Sequence, residues 1–331
     1  MNNRRDFLKT AATGAVLLGA QSKMGFAGML DKQAATGKSK VVVARDAQLH
    51  GADGQLDEKR VLALLDRAIA SYTGHEKPVE SWKRIVPVGK VIGLKINGLG
   101  GKGIATHRAL VMAICERLQQ AGVKPSEIIV WDRFARDIEN CGMTINTDPS
   151  RIRVFGTDVS GYEEQSETWG TAKVNFSKIL TRECAMVIGL PILKDHEGAG
   201  VTFAMKNMYG VVQRPYQLHG SNCNPGVADL NCIPVVRDKV RFTIGDAMTS
   251  VYDGGPNFHP ERLWQPNALI VGEDRVAVDH IAWQMIEKKR AEAGMKSLTA
   301  VNRPPSYIAT AADAAHKLGT NDPQRIHLLE V

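Results

Sequence analysis

The chain has 331 residues, 44% hydrophobic and 6% aromatic, and a formal net charge of +7. This composition is typical of a globular protein with enough chain for a large core. Residues 1–27 contain four Lys or Arg and one Asp, so the remainder carries only about +4. Because this small charge comes without a long basic run or interleaved basic and aromatic residues, we expect no nucleic-acid partner.

The first predicted element is an export signal in residues 1–27. Residues 3–9 read NRRDFLK, with the paired arginines, apolar pair and lysine of a twin-arginine signal. A short apolar run and small residues at Gly25 and Ala27, which suit signal-peptidase cleavage, follow. The run is too short and too rich in Ala and Gly to span a bilayer. We therefore expect the twin-arginine translocation machinery as a partner, and a periplasmic mature protein without a membrane anchor.

From residue 40 onward, apolar runs alternate with amphipathic stretches. Such alternation indicates a parallel sheet covered by helices on both faces. We predict a doubly wound, mostly parallel α/β fold. Residues 28–39 are expected to be a flexible N-terminus, 40–331 a single α/β domain, and the polar segment 151–171 a linker or an excursion from the sheet. Strands are predicted at 41–44, 91–96, 128–131, 185–190, 241–244 and 268–271, and helices at 57–71, 106–121, 133–140, 203–212 and 276–293.

The loop after the second predicted strand is rich in glycine. It begins at Lys95 and reads KINGLGGKG, and His107 stands at the start of the next helix. Ligands of such sheets lie beyond the carboxyl ends of the strands, where glycines allow close approach and a helix N-terminus favours an anion. The pattern matches neither the P-loop nor the dinucleotide fingerprint. An anion cradle that includes Asn97 and a plain flexible loop both remain open.

A second polar stretch, PILKDHEGAG at residues 191–200, follows the fourth buried strand. We expect it to lie outside the core as a loop, with Lys194 supplying a cation and His196 binding a metal or carrying protons. Lys206 and Asn207 fall on the next predicted helix, among Val, Phe, Ala and Met. We expect Lys206 to face a ligand, and the alternative is a lysine that snorkels to solvent.

Further candidates lie nearer the C-terminus. His219, Cys223 and Cys232 provide three nitrogen or sulfur ligands, one fewer than a closed zinc site needs. Metal ligation, a disulfide between the two cysteines, and free structural thiols all remain open. Asp246 follows the predicted strand at 241–244 and is expected at the same edge of the sheet.

Taken together, these motifs resemble the domain of unknown function 362 family, in its twin-arginine-exported bacterial branch. The similarity runs from about residue 40 to the C-terminus, and it implies an α/β fold without an established general activity. Some relatives carry a fused ferredoxin-type cluster domain, but this chain lacks C-x-x-C-x-x-C, so no iron–sulfur cluster is carried over. The matching segments are Lys95-Ile96-Asn97, Thr106-His107, Trp131-Asp132-Arg133, residues 191–196, 205–210 and 219–231, Asp246-Ala247 and residues 274–279.

We therefore predict one polar site at the strand ends that binds or transforms a small anionic molecule. A histidine or lysine would act as acid or base, and the other lysines would stabilise negative charge. The alternative is a periplasmic accessory protein of a redox system, with a metal or another cofactor; the cofactor is left open. Catalytic candidates are Lys194, His196, Lys206 and Asp246; ligand-binding candidates are Lys95, Asn97, His107, Asp132 and Asn207; metal-ligating candidates are His219, Cys223 and Cys232.

Overall fold

The computed structural model describes residues 37–331, and the predicted export signal lies outside them. The strands are β1 (Ser39–Arg45), β2 (Ile92–Ile96), β3 (Ile128–Asp132), β4 (Arg153–Gly156), β5 (Glu167–Trp169), β6 (Ala172–Val174), β7 (Met186–Leu190), β8 (Ile192–His196), β9 (Gly200–Thr202), β10 (Val240–Val251), β11 (Leu263–Trp264), β12 (Ala268–Gly272) and β13 (Ile326–Glu330). The α-helices are α1 (Glu58–Thr73), α2 (Pro78–Ile85), α3 (Arg108–Gln120), α4 (Ala135–Asn140), α5 (Thr157–Ser160), α6 (Gly226–Cys232), α7 (Pro234–Lys239), α8 (Arg275–Glu292) and α9 (Tyr307–Ala312).

The main sheet has the strand order β13-β1-β12-β10-β7-β2-β3-β4. Pairing is parallel from β10 through β7, β2 and β3 to β4, and also between β1 and β13, whereas β12 is antiparallel to both of its neighbours. The parallel half therefore places the carboxyl ends of β2, β3 and β7 at one edge. The α/β fold is confirmed, and its sheet is mixed.

Side chains of the central strands alternate between two apolar layers. Ile92, Leu94 and Ile96 of β2 enter the core beneath α1, α2 and α3, while Ile129 and Trp131 of β3 enter a second core on the other face. Because side chains of a strand point to opposite faces in turn, Lys95 of β2 lies on the second face. Burial of each large apolar side chain contributes roughly 1.5–3 kcal/mol, which fixes this register.

The starts of the two longest helices, α1 and α8, are fixed by capping aspartates. Asp57 accepts hydrogen bonds from the backbone N–H groups of Lys59 and Arg60 at the start of α1. Asp274 caps α8 in the same way, and its carboxylate also accepts from Thr320 N and Ser39 Oγ. A short polar side chain at this position satisfies N–H groups that have no partner within the helix. None of the helices in residues 37–331 combines the length and apolarity needed to cross a bilayer.

Three local expectations need correction. Residues 191–200 are not a loop: β8 continues the line of β7 beyond Pro191 and pairs with the second half of the 12-residue strand β10. The segment 151–171 contains β4, a strand of the main sheet. The helix expected at 203–212 is a short 3-10 segment, Lys206–Val211. For β4 and β8, strand pairing overrode the local pattern, and the polar residues of β8 are buried against β10 rather than left in solvent.

Candidate functional site

A pocket opens at the carboxyl ends of the parallel strands, with a cavity volume of about 180 Å³. Ends of β2, β3 and β8 meet there, and the 3-10 segment Lys206–Val211 closes one side. This is where ligands bind in open α/β sheets. The lining includes eight of the twelve residues proposed from sequence: Lys95, Asn97, Asp132, Lys194, His196, Lys206, Asn207 and His219.

Lys95 forms the buried base of this pocket, and its charge is matched. Its Nζ lies 2.7 Å from Asp132 Oδ1, with side chains only 1% and 8% exposed. The same Nζ donates to the carbonyl of Ile96 at 2.7 Å and to Asn207 Oδ1 at 3.4 Å, while Asn207 Nδ2 donates to the carbonyl of Lys95. The other oxygen of Asp132 accepts from Gly98 N at 2.6 Å. The sequence pattern predicts Lys95 as one of several lysines without a matching acid. In the structure, Lys95 instead forms a neutral ion pair with Asp132.

A glycine allows the chain to pass over this pair. A Cβ at Gly210 would stand 2.6 Å from Lys95 Nζ and 2.8 Å from Asp132 Oδ1. Both distances are below van der Waals contact, so any side chain there would displace the ion pair. The Gly at the end of the KNMYG motif thus keeps the 3-10 segment against the base of the pocket.

Two further lysines, Lys194 and Lys206, are buried without a carboxylate in ion-pair contact among residues 37–331. Lys194 Nζ donates to the carbonyl of Leu99 at 2.6 Å. Lys206 Nζ lies 3.4 Å from His219 Nε2 and 4.1 Å from the centre of the Tyr209 ring. Burial lowers the pKa of each lysine to about 8. Both remain mainly charged at neutral pH, so the pocket holds two cations that an anion could neutralise.

His196 is a neutral hydrogen-bond donor rather than an acid or base. Its Nδ1 accepts from the N–H groups of Gly198 and Ala199 at 3.0 and 3.1 Å, so this nitrogen carries no proton. The proton of the neutral ring is therefore on Nε2. Burial, and then the charge of Lys206, lower the pKa of His196 to about 2. The expected acid–base role does not fit this ring, whereas an N–H donor toward a ligand oxygen does.

His219 has the opposite tautomer. Its Nδ1 lies 2.9 Å from the carbonyl of Pro215, which can only accept, so Nδ1 carries the proton and Nε2 presents a lone pair to Lys206. Burial, and then Lys206, lower the pKa of His219. Nε2 of His219 can therefore accept a hydrogen bond from the Lys206 ammonium. His219 therefore belongs to the lysine site.

Asp279, buried on α8, holds the turn that carries Lys206. Its carboxylate accepts from Ala204 N at 2.6 Å, Met205 N at 3.1 Å and Tyr307 Oη at 3.2 Å. Burial raises the pKa of Asp279 to about 7. The sequence showed an acid on this helix without revealing that it reaches across to the 3-10 segment, because no local spacing connects the two.

Four candidates do not line the pocket. Asp246 is fully buried and accepts from the N and Nδ1 of His107, both at 2.8 Å, which joins α3 to β10. Although burial opposes the shift, Asp246 raises the pKa of His107. Cys232 Sγ faces the carbonyl of His316 at 3.7 Å, and the cysteines are free thiols. In the part of the chain that the structure describes, no three His, Cys, Asp or Glu side chains form a group suited to a metal ion, so His219, Cys223 and Cys232 are not brought together as ligands.

The remaining lining residues had no clear signal in the sequence. Thr202 faces the pocket because β9 pairs with β8, directly opposite Lys194. Asp137 lines the wall and pairs with Arg136 at 3.7 Å; burial, and then Asp132, raise its pKa. The other members are Leu99, Arg133, Phe134, Tyr209, Gly210, Pro215 and Pro256. Arg133 and Phe134 follow the end of β3, where strand-end reasoning could have found them.

Comparisons with known proteins give a family and a remote fold likeness. The family model described as Domain of unknown function (DUF362) matches residues 92–284. The comparison with curated proteins gives no match. A crystal structure of a Thermotoga maritima protein, from the Northeast Structural Genomics Consortium, shares 11% identity at a TM-score of 0.43, over 70% of this chain and 59% of that one. The matched segment therefore spans under two thirds of that chain, and the likeness carries no argument about function.

Proposed function

We propose that this chain, which belongs to the Domain of unknown function (DUF362) family, binds a small anionic molecule in the strand-end pocket. The observation that carries the proposal is the pair Lys194 and Lys206. Both ammonium groups are buried and lack a carboxylate in contact within the described range. A buried charge without a partner is costly, so its retention at a pocket is best explained by a ligand of opposite charge.

The electrostatic balance of the lining supports an anion. Lys95 and Asp132 neutralise each other, and the rest of the lining has three cationic groups, Lys194, Lys206 and the half-buried Arg133, against one carboxylate, Asp137. His196 adds an N–H donor without adding charge. A carboxylate, sulfate or phosphate group placed between the two lysines would gain charge-assisted hydrogen bonds in a site of low dielectric constant.

The same groups support proton transfer as a second candidate activity. The observation that favours it is the 3.4 Å contact between Lys206 Nζ and His219 Nε2, in which a lysine of pKa about 8 faces a neutral imidazole. A base whose pKa lies near the working pH is the kind that general acid–base catalysis uses. His196 Nε2–H could stabilise negative charge that develops on a bound oxygen. The protein is then an enzyme acting on an anion, with Lys206 as the acid or base.

We further propose that the protein works in the periplasm after twin-arginine export. The support is the NRRDFLK motif and the cleavage pattern within residues 1–27. An accessory role in a redox system, with a metal or cofactor, finds no support in the arrangement of His219, Cys223 and Cys232.

Anion-dependent stability tests the proposal. Thermal unfolding of the wild type is compared with and without sulfate or acetate, at constant ionic strength. A ligand present at about 100 times its Kd adds roughly 2.7 kcal/mol when it binds only the folded state. We expect Lys206→Met and Lys194→Met to remove this effect, because methionine keeps much of the apolar stem and deletes the charge. Unliganded Lys206→Met should be as stable as the wild type or slightly more so.

The matched control is Lys90→Met, which removes an exposed lysine outside the pocket. It should retain the full stabilisation by anions. If the wild type gains no stability from any of a panel of small anions, or if Lys206→Met gains as much as the wild type, the anion site is wrong. A strongly destabilised Lys206→Met variant would mean that Lys206 is structurally paired.

A further inference from the structure

Two buried polar atoms in the pocket lack hydrogen-bond partners. They are Oδ1 of Asn97 and Oγ1 of Thr202, and neither has a partner among residues 37–331. The side chains line the pocket, and the residues are only 8% and 5% exposed. Buried polar atoms in folded proteins are nearly always satisfied, and leaving one unpaired costs about 1–3 kcal/mol. These atoms are therefore a second feature of the site, distinct from its charge.

Both side chains line the same pocket as Lys194. Thr202 is directly opposite Lys194 in the antiparallel pair of β9 with β8, so the two side chains share one face of the sheet. Asn97 lies two residues before Leu99, whose carbonyl accepts from Lys194 Nζ. A ligand that fills the pocket beside Lys194 can therefore contact both polar side chains.

The chemistry of the two atoms defines what they need. The amide of Asn97 offers an acceptor at Oδ1, and the hydroxyl of Thr202 can donate or accept. The oxygens of a carboxylate or of sulfate can only accept, so these anions could not satisfy Asn97 Oδ1. A hydroxyl group can donate and accept at once, and it can therefore bond to both residues.

We infer that the ligand is a small hydroxylated anion, such as a 2-hydroxycarboxylate, whose hydroxyl bonds to Asn97 and Thr202 beside Lys194. The inference rests on the proposed anion site and adds the substrate class to it. The carboxylate lies between Lys194, Lys206 and the Nε2–H of His196. The hydroxyl group, on the carbon next to the carboxylate, lies against the wall of the pocket that β9 and the loop after β2 form.

Matched pairs of acids test the inference. Glycolate is compared with acetate, and lactate with propionate, by calorimetric titration of the full chain at pH 7. Each pair shares its charge and differs by one hydroxyl group. We expect the wild type to bind the hydroxy acid at least about tenfold more tightly than its plain partner, because only the hydroxy acid satisfies the unpaired atoms.

Variants locate the preference. Thr202→Val keeps the shape of the side chain and removes its hydroxyl, and Asn97→Leu removes the amide. Each should bring the ratio of affinities for hydroxy and plain acids toward one. Thr202→Ser restores a hydroxyl and should restore most of the preference, which separates hydrogen bonding from folding. Lys90→Met should keep the wild-type ratio.

The outcomes distinguish the two proposals. If the wild type binds both members of each pair equally, and Lys206→Met abolishes binding of both, the anion site stands and the hydroxylated ligand is overturned. If the preference persists in both Thr202→Val and Asn97→Leu, the assignment of these atoms is overturned. If no acid and no sulfate binds, the anion site and this inference both fall.

Discussion

Burial lowers the pKa of Lys194, Lys206 and His196 alike, but the consequences for their charge differ. It lowers the pKa of each lysine to about 8, so both keep their charge at neutral pH. It lowers the pKa of His196 to about 2, so the ring stays neutral throughout the physiological range. In the proposed site, the lysines bind the charge of the anion and His196 orients it through Nε2–H.

His196→Asn tests the role of this ring. Asparagine can place Oδ1 near the position of Nδ1 and still accept from Gly198 and Ala199, but it has no group at the position of Nε2. We expect the variant to fold and its affinity for sulfate to fall roughly tenfold, the usual scale for one hydrogen bond to a charged group. Titration calorimetry measures the affinity for sulfate. An unchanged affinity would mean that His196 does not contact the bound anion.

The identity of the pocket residues could be predicted in large part from sequence, but their pairing could not. Seven residues that the sequence placed at strand ends or in the KNMYG motif do line one pocket: Lys95, Asn97, Asp132, Lys194, His196, Lys206 and Asn207. That Asp132 neutralises Lys95, and that Asp246 is occupied by His107, depends on residues distant in the chain. Only the tertiary structure shows which charges remain free.

At the scale of elements, β1, β2, β3, β7, β12, the start of β10 and the long helices α1, α3 and α8 were predictable because their apolar periodicity is strong. β8 was not, since Lys194, Asp195 and His196 look like a solvated loop. In the structure Asp195 points away from the pocket side of β8 and pairs with Arg303 at 3.1 Å. Strand alternation thus separates Asp195 from its two neighbours, and pairing with β10 pulls all three residues inside.

A comparison of two capping aspartates tests how the elements are joined. Asp57 caps α1 alone, whereas Asp274 caps α8 and also bonds to Thr320 and Ser39. Asp57→Ala should lower the free energy of unfolding by about 1 kcal/mol, and Asp274→Ala by about 2–3 kcal/mol. Denaturant unfolding of both variants measures this. Equal losses would mean that the bonds of Asp274 to β1 and to the C-terminal segment add no stability.

At the scale of the whole molecule, the sheet collects residues from four separate segments into one pocket, and the sequence motif NRRDFLK predicts where the folded protein is used. The proposed export depends on residues 1–27, which lie outside the described range. The proposed binding site and the predicted export signal involve different residues, so each is tested separately.

Replacing both arginines of the NRRDFLK motif tests the predicted twin-arginine export. Arg4→Lys combined with Arg5→Lys should leave the precursor in the cytoplasm in a folded state, because the pair is read by a receptor. Cell fractionation shows the location, and protease resistance shows the fold. A single substitution at an exposed position such as Lys90 serves as control and should be exported normally. Normal export of the double variant would contradict the periplasmic assignment.

Proton uptake on anion binding tests the central claim most directly. Two lysines of pKa about 8 are partly deprotonated at pH 8.5, and an anion prefers the charged form, so binding must take up protons and affinity must fall as pH rises past about 8. Titration of sulfate in buffers of different ionisation enthalpy counts these protons. We expect roughly one to two per site at pH 8.5, close to none at pH 6 and the wild-type number in Lys90→Met, whereas Lys206→Met should show neither sulfate binding nor proton uptake. Sulfate that binds without proton uptake at pH 8.5, or with the same uptake in Lys206→Met, would contradict the account.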